Sequence, residues 1–240
     1  MFITFEGLDG SGKTTQINRL APYLRDCEYD VLVTREPGGT EFGENVRNLL
    51  MQSEDLDADT ELLLFCASRS HLVKSVIKPH ISESNRHVVI CDRFSDSTLA
   101  YQGYGQGIDL KVLKNILAFA TDGLSPDLTF YLDIKPEEGE KRRAKSRLLG
   151  EEWNRLDDKK TAFYYKVLKG YHKLAKQEPK RWVWINAANS VEEVEEQIRI
   201  ALDEFLKKPY QIERKNLIED KSSLSNGQQL LPIFKNSHSG

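Results

Sequence analysis

Cysteine is scarce in this chain. Cys27, Cys66 and Cys91 are spread through 240 residues with no C-x-x-C pair, which excludes a disulfide framework and a cysteine-based zinc site and suggests the reducing cytoplasm. Long apolar runs are missing too: no stretch approaches the ~20 apolar residues of a membrane span. The opening MFITFEGLDG lacks the basic and apolar regions of a secretory leader, so the expectation is a soluble, unsecreted protein. Neither sign of charge is in excess. Thirty-four Lys and Arg against 37 Asp and Glu leave a net charge of −3, which gives no global attraction to nucleic acid or to an anionic membrane. Any anion site must therefore be local. No internal repeat is found.

What the chain does contain is alternation. FITFE, VLVTR, VVICD, LTFYLD and WVWIN are short and rich in β-branched or aromatic residues, as strands are. Between them, residues 13–24, 62–81, 110–120, 136–148, 155–176 and 191–206 carry apolar side chains at helical spacing. The pattern predicts a doubly wound α/β domain: five strands, mostly parallel, flanked by helices. Right-handed crossovers place the loops after the strands on one rim, where such sheets bind ligands. The domain is expected over residues 1–207, and the polar segment 208–240 reads as a disordered tail; its one apolar cluster is LLPIF, Leu230–Phe234.

The first strand runs into G-x-x-x-x-G-K-[ST], met by Gly7, Gly12, Lys13 and Thr14, and a helix follows. The glycines let a tight loop turn its N–H groups inward, and the helix N-terminus favours negative charge. The loop Gly7, Leu8, Asp9, Gly10, Ser11, Gly12, Lys13, Thr14, Thr15 is thus an ATP-phosphate cradle, with Lys13 for the β/γ-phosphates and the Thr14 hydroxyl for Mg²⁺. Asp9 is out of place in it. A carboxylate ~4 Å from a phosphate charge loses roughly 1–4 kcal/mol in a fairly polar setting, so Asp9 must face something else.

Two further stretches suggest a second ligand. In TELLLFCASRSHLVKSVIKP, Arg69 falls on the apolar stripe of a helix and needs a carboxylate or an anionic ligand. Phe65 lies one turn away on the same face, a spacing that serves an aromatic base and a phosphate, or equally a core Phe beside a structural ion pair. In VVICDRFSDSTLAYQGYGQG, Asp92 ends a strand beside the phosphate loop, well placed for the metal or its waters. Arg93 adds a bidentate phosphate clamp, and Ser97, Thr98 and Gln102 offer neutral partners suited to a nucleobase edge.

Taken together, GLDGSGKTT, TREPGGT, the Phe65/Arg69 pair, DRFSDSTLAYQG and KRRAKSR with the following NRLD resemble the motifs of thymidylate kinases, P-loop nucleoside-monophosphate kinases, in their order over roughly residues 1–207. The resemblance implies γ-phosphate transfer from ATP to dTMP with Mg²⁺, giving dTDP and ADP in a homodimeric enzyme. It assigns Asp9 to the 3′-hydroxyl of the acceptor, Phe65 to stacking on thymine, and Arg69 and Thr98 to the base edge or phosphate region. Arg93 would hold the acceptor phosphate, Gln102 reach the base, and Tyr101 pack near C2′ to favour deoxyribose. Thr34–Thr40 would position the acceptor phosphate and metal. The basic run, by itself readable as a solvated helix or nucleic-acid patch, becomes a lid over ATP at about residues 141–155. Members of the family carry an arginine either inside the P-loop or in the lid. Here Gly10 occupies the loop position, so the lid must supply it, from Arg143 and Arg147 with Arg155 as a third candidate.

Rival classes fit less well. Asp92 is followed by Arg-Phe-Ser rather than D-x-x-G, and no N-K-x-D guanine reader follows, which argues against a GTPase switch. A nucleic-acid-dependent ATPase predicts a broader positive surface than a chain of net charge −3 provides. The nearest competitor is another nucleotide kinase, with dUMP or a nucleoside as acceptor.

Overall fold

A computed structural model describes residues 1–53, 55–147 and 161–207. The expected tail, 208–240, and residues 148–160, which include Arg155 and the whole NRLD stretch of the lid, lie outside the described residues. The chain divides into two units, Met1–Ala201 and Leu202–Gly240. Only Leu202–Lys207 of the second are described, as the end of the last helix.

All five expected strands are present: β1 (Phe2–Glu6), β2 (Asp30–Arg35), β3 (His87–Asp92), β4 (Leu128–Asp133) and β5 (Trp182–Asn186). They form one parallel sheet in the order β2-β3-β1-β4-β5. The burial pattern follows from that order. Central β1 is buried at every residue, whereas edge strands β2 and β5 alternate between buried and exposed positions, because only a strand with neighbours and helices on all sides must be apolar throughout. Even the threonines of the centre are paired, Thr4 Oγ1 to Thr129 Oγ1 at 2.8 Å.

The helices are α1 (Lys13–Asp26), α2 (Glu41–Gln52), α3 (Ala58–Leu72), α4 (Lys78–Glu83), α5 (Ser95–Thr98), α6 (Leu110–Ala120), α7 (Pro136–Arg147), α8 (Thr161–Gln177) and α9 (Val191–Lys207). Two of the differences from the sequence expectation precede β3. The single helix expected over 62–81 is α3 and α4 joined by a π-helical turn, Val73–Ile77; its apolar residues pack with Phe2, Val89, Cys91 and Phe94 in one cluster, which holds the irregular turn in place. Helix α2 was not expected. Its start is set by Thr40, whose hydroxyl accepts from Gly43 N at 2.9 Å, an N-cap with acidic Glu41 and Glu44 in the first turn.

The register puts the chemistry on one rim. Phe5 pairs with Asp92 across β1 and β3, and Arg93 N donates to Phe5 O at 3.0 Å. The residues that end β3 therefore emerge beside the loop that ends β1, at the carboxyl ends of the strands. Beyond Asp92 the chain forms α5 and a second π-helical turn, Leu99–Gly105, a deviation frequent at functional sites.

Candidate active site

The loop between β1 and α1 has the backbone its glycines allow. Gly12 caps α1 with φ +92°, and Gly10 has φ +78°, both in the left-handed region where a side chain is strained. Space is a second constraint at Gly10. A Cβ there would collide with the Gly139 carbonyl oxygen of α7, and a Cβ at Gly139 would lie 2.6 Å from Asp9 O. The base of the lid helix thus rests on the loop, glycine against glycine, and a side chain at position 10 has no room.

Lys13 Nζ donates to Gly7 O and Leu8 O at 3.2 and 3.1 Å. Burial pulls its ammonium pKa down, and nearby Arg93 adds to this. Thr14 Oγ1 donates to Asp92 Oδ2 at 2.9 Å, so the two residues expected at the metal are neighbours. A hydroxyl and a carboxylate are the hard oxygen donors that suit Mg²⁺, which keeps several waters of its own. The residues present fit the ion.

Arg93 is the hub. Its φ of +70° is uncommon for a non-glycine residue and points to a functional constraint. Nη2 donates to Asp9 Oδ1 at 2.6 Å and to Tyr101 OH at 3.3 Å; Nη1 donates to Ser97 Oγ at 3.0 Å and Tyr171 OH at 3.2 Å. The guanidinium lies 5.1 Å from the Tyr101 ring centroid. Burial alone would raise the Asp9 carboxyl, but Arg93 and Lys13 outweigh it and hold the pKa at about 2. Asp9 therefore turns away from the phosphate cradle to Arg93, as its charge requires.

Behind Arg93 sits a carboxylate the sequence analysis did not single out. Glu6, fully buried, accepts from Phe94 N at 2.9 Å, Ser97 N at 3.2 Å, Ser97 Oγ at 2.5 Å and Tyr171 OH at 2.9 Å. Burial pushes its pKa up to about 7, with Asp96 adding to the rise. The Ser97 hydroxyl, expected at a base edge, is instead committed between Glu6, Arg93 and Tyr171.

A cleft holding about 650 Å³ of empty space up to its open mouth runs from this hub. Asp9, Arg93, Ser97 and Tyr101 line one part of it; Phe65, Arg69, Thr98 and Gln102 line the rest, so every residue expected at the acceptor shares one cavity. Arg69 is held by a carboxylate: Nη2 is 2.6 Å and Nε 2.7 Å from Glu36 Oε2, with both side chains buried. Burial pushes the Glu36 carboxyl up, against the pull of Arg69. This answers the charge on the helix stripe, and the pairing is incomplete. Arg69 Nη1 and Glu36 Oε1 are buried without a hydrogen-bond partner among the described residues, a loss that a ligand in the cleft would remove. Gln102 Nε2 donates to Glu61 Oε1 at 2.7 Å, which fixes its amide beside the cavity.

The sequence analysis also missed Arg47 and Met51, which line the cleft from α2. Arg47 donates to Pro37 O at 3.3 Å. The signal that could have found them is the Thr40 cap followed by Val46, Leu49 and Leu50 at helical spacing. Of the lid candidates, Arg143 stacks its guanidinium 5.2 Å from the Tyr164 ring centroid and contributes to lowering the Asp9 pKa. The Arg147 backbone ends α7, and its side chain lies outside the described residues.

The comparisons with known proteins agree with this geometry. The thymidylate kinase family model matches residues 5–198. A thymidylate kinase of Roseiflexus castenholzii is 44% identical over 224 residues, 89% of this chain and 97% of that protein; one of Chlorobium luteolum is 46% identical over 213 residues, 86% of this chain and 99% of its own length. The crystal structure of thymidylate kinase from Ehrlichia chaffeensis superposes with a TM-score of 0.69 at 39% identity, covering 84% of this chain and 98% of that one. A parallel five-stranded sheet, a phosphate loop joined to an acceptor cleft, and identity of this extent have one explanation: the chain belongs to the thymidylate kinase family.

Proposed function

We propose that this chain transfers the γ-phosphate of ATP to the 5′-phosphate of dTMP, with Mg²⁺, as a cytoplasmic homodimer whose catalytic domain spans residues 1–207. The observation that carries the reading is the Asp9–Arg93 contact at 2.6 Å. It joins the donor loop to the acceptor cleft, and it explains a carboxylate inside a phosphate loop.

The acceptor phosphate has a second pKa near ~6 and arrives largely deprotonated at pH 7, so no general base is required. Catalysis is alignment and charge neutralisation. Arg93 holds the acceptor phosphate; Asp9, whose Oδ2 makes no hydrogen bond among the described residues, takes the sugar 3′-hydroxyl. Phe65 stacks on the base, Arg69 Nη1 and Gln102 meet its polar edge, and Thr98 closes that end of the cleft. Tyr101, fixed by Arg93, limits the space at C2′. On the donor side Lys13 leaves the loop carbonyls for the phosphates, and Arg143 and Arg147 bring charge from the lid. Thr14 and Asp92 would hold Mg²⁺, in part through water, and when bound it would supply positive charge to the transferring phosphates. The dimer reading draws on exposed apolar side chains of three contacting helices: Leu49 of α2, Leu63 of α3, and Val112 and Phe119 of α6, the last 81% exposed.

The test is ADP release with ATP and Mg²⁺ against a panel of dTMP, dUMP, the ribose form of TMP, dCMP, dGMP, AMP and thymidine. A strong preference for dTMP is expected. Equal turnover with dUMP would favour the broader nucleotide kinase, and acceptor-independent hydrolysis would reject the kinase altogether.

A further inference from the structure

At the opposite rim of the sheet, where β2 and β3 begin, stands a cluster with no part in phosphoryl transfer. Asp30 and His87 are the first residues of their strands and pair directly across the parallel ladder. His80 comes from α4. One ligand atom from each of the three lies within 4.8 Å of the other two. His87 Nε2 is 3.7 Å from Asp30 Oδ2, too long for a hydrogen bond and close to the ~3.3 Å that separates two ligands bonded to one tetrahedral ion at 2.0–2.1 Å. The imidazole rings of His80 and His87 have centroids 4.7 Å apart.

The His87 tautomer matches that geometry, and His80 Nε2, 3.3 Å from the Asp30 carbonyl oxygen, would give up that contact or leave Nδ1 to take the ion. His87 Nδ1 is 3.1 Å from His80 O. A carbonyl can only accept, so Nδ1 carries the proton and Nε2 directs its lone pair toward Asp30. Glu83 Oε2 lies 3.5 Å from the same Nδ1. A ring nitrogen donating to a carbonyl or carboxylate while the other faces the ligand position is how metal-binding imidazoles are oriented. The cations nearby are engaged: Arg86 is 5.5 Å from the Tyr29 ring centroid and 3.9 Å from Glu28, and the Met1 ammonium donates to His87 O at 2.8 Å.

We propose that His80, His87 and Asp30 form a binding site for a divalent transition metal, Zn²⁺ in the first instance, with water as fourth ligand. Two imidazoles and one carboxylate select Zn²⁺, Ni²⁺ or Cu²⁺ over Mg²⁺. The ion would clip the start of β2 to the α4–β3 segment, 50 residues further along the chain. His87 and Asp92, the two ends of β3, are five residue steps apart, about 16 Å at ~3.3 Å per residue, so the ion lies away from the reacting phosphates and acts on stability.

The experiment uses the full chain, stripped with a chelator and moved to chelator-free buffer at pH 7.5. It is titrated with Zn²⁺ by calorimetry and melted with and without the metal. One equivalent should bind, and Tm should rise by about 5–10 °C at free Zn²⁺ near 100 times Kd. Co²⁺ as a spectroscopic stand-in should give the intense visible absorption of a four-coordinate site. Asp30→Asn and His80→Gln, both outside the core, should each weaken Zn²⁺ at least tenfold, while dTMP turnover without added Zn²⁺ stays at the parent value. Circular dichroism checks that each variant is folded; should one fail, the other carries the test alone. Absence of a saturable one-to-one event in the parent overturns the proposal, and so does parental affinity retained in the double variant. Neither result bears on the kinase assay, so this site and the proposed function stand or fall separately.

Discussion

Asp9→Asn removes one negative charge and almost no volume, and its consequences follow from the geometry. The Asp9 carboxyl is held at about 2, nearly two units below its ordinary 3.8. At ~1.4 kcal/mol per unit, the native surroundings favour the carboxylate by about 2.5 kcal/mol. Because the folded pKa is the lower one, the native state binds fewer protons than the unfolded chain between those values. The stabilisation is complete above about pH 4 and disappears as pH falls through about 2. The variant should therefore be about 2 kcal/mol less stable than the parent at pH 7, and the difference should shrink to about half at pH 3, where the parent has begun to lose the same interaction. Urea unfolding of both proteins at the two pH values reads this directly. Kinetics supplies the second arm: the variant should lose far more kcat/KM with dTMP than with 3′-deoxy-dTMP, since the lost hydrogen bond exists only for the former. A stability difference that is the same at pH 7 and pH 3 would refute the charge argument, and equal kinetic losses with the two acceptors would refute the sugar contact.

Other variants separate the remaining roles. Arg93→Ala should raise KM for dTMP, whereas Lys13→Ala should lower kcat by about 10²–10³ with little change in dTMP binding; steady-state kinetics with each substrate varied would expose any exchange of these effects. Glu36→Gln leaves Arg69 charged and buried, which costs about 3–5 kcal/mol, and a melting temperature equal to the parent's would show that the pair is not needed. Glu6 has a raised folded pKa, so its contribution is greatest below about pH 4.5 and is lost as pH rises to about 7, an effect of about 3 kcal/mol; Glu6→Gln should flatten that part of the stability profile, and an unchanged slope would place the ionisation elsewhere. Gly139→Ala puts a Cβ 2.6 Å from Asp9 O and should lower kcat/KM at least tenfold even though Ala is the better helix former; parental kcat/KM would mean that α7 can move off the loop freely.

Much of this protein is legible along the chain because its information is local. FITFE followed by G-x-x-x-x-G-K-T specifies strand, loop and helix within a few residues of one another, since the phosphate cradle is made of consecutive N–H groups. The five strands stood out because each is short and rich in β-branched or aromatic residues, and Phe65 and Arg69 shared a face through helix spacing alone. Elements whose pattern depends on distant partners were not legible. Helix α2 carries a cap and an apolar stripe that the sequence analysis passed over, whereas the π-helical turns at Val73–Ile77 and Leu99–Gly105 are held by packing, which leaves no periodic signature.

The site divides in the same way. Sequence alone supplied Lys13, Thr14, Asp92 and Arg93 as phosphate and metal chemistry and raised the question of Asp9. Tertiary structure decided the partners. Arg69 meets Glu36 across 33 residues, Arg93 meets Asp9 across 84, and Tyr171 reaches Glu6 across 165. Whether a buried charge is answered by a neighbouring side chain or left for a ligand depends on which strands lie side by side. That order, β2-β3-β1-β4-β5, is set by the packing of the whole sheet and is written in no single segment.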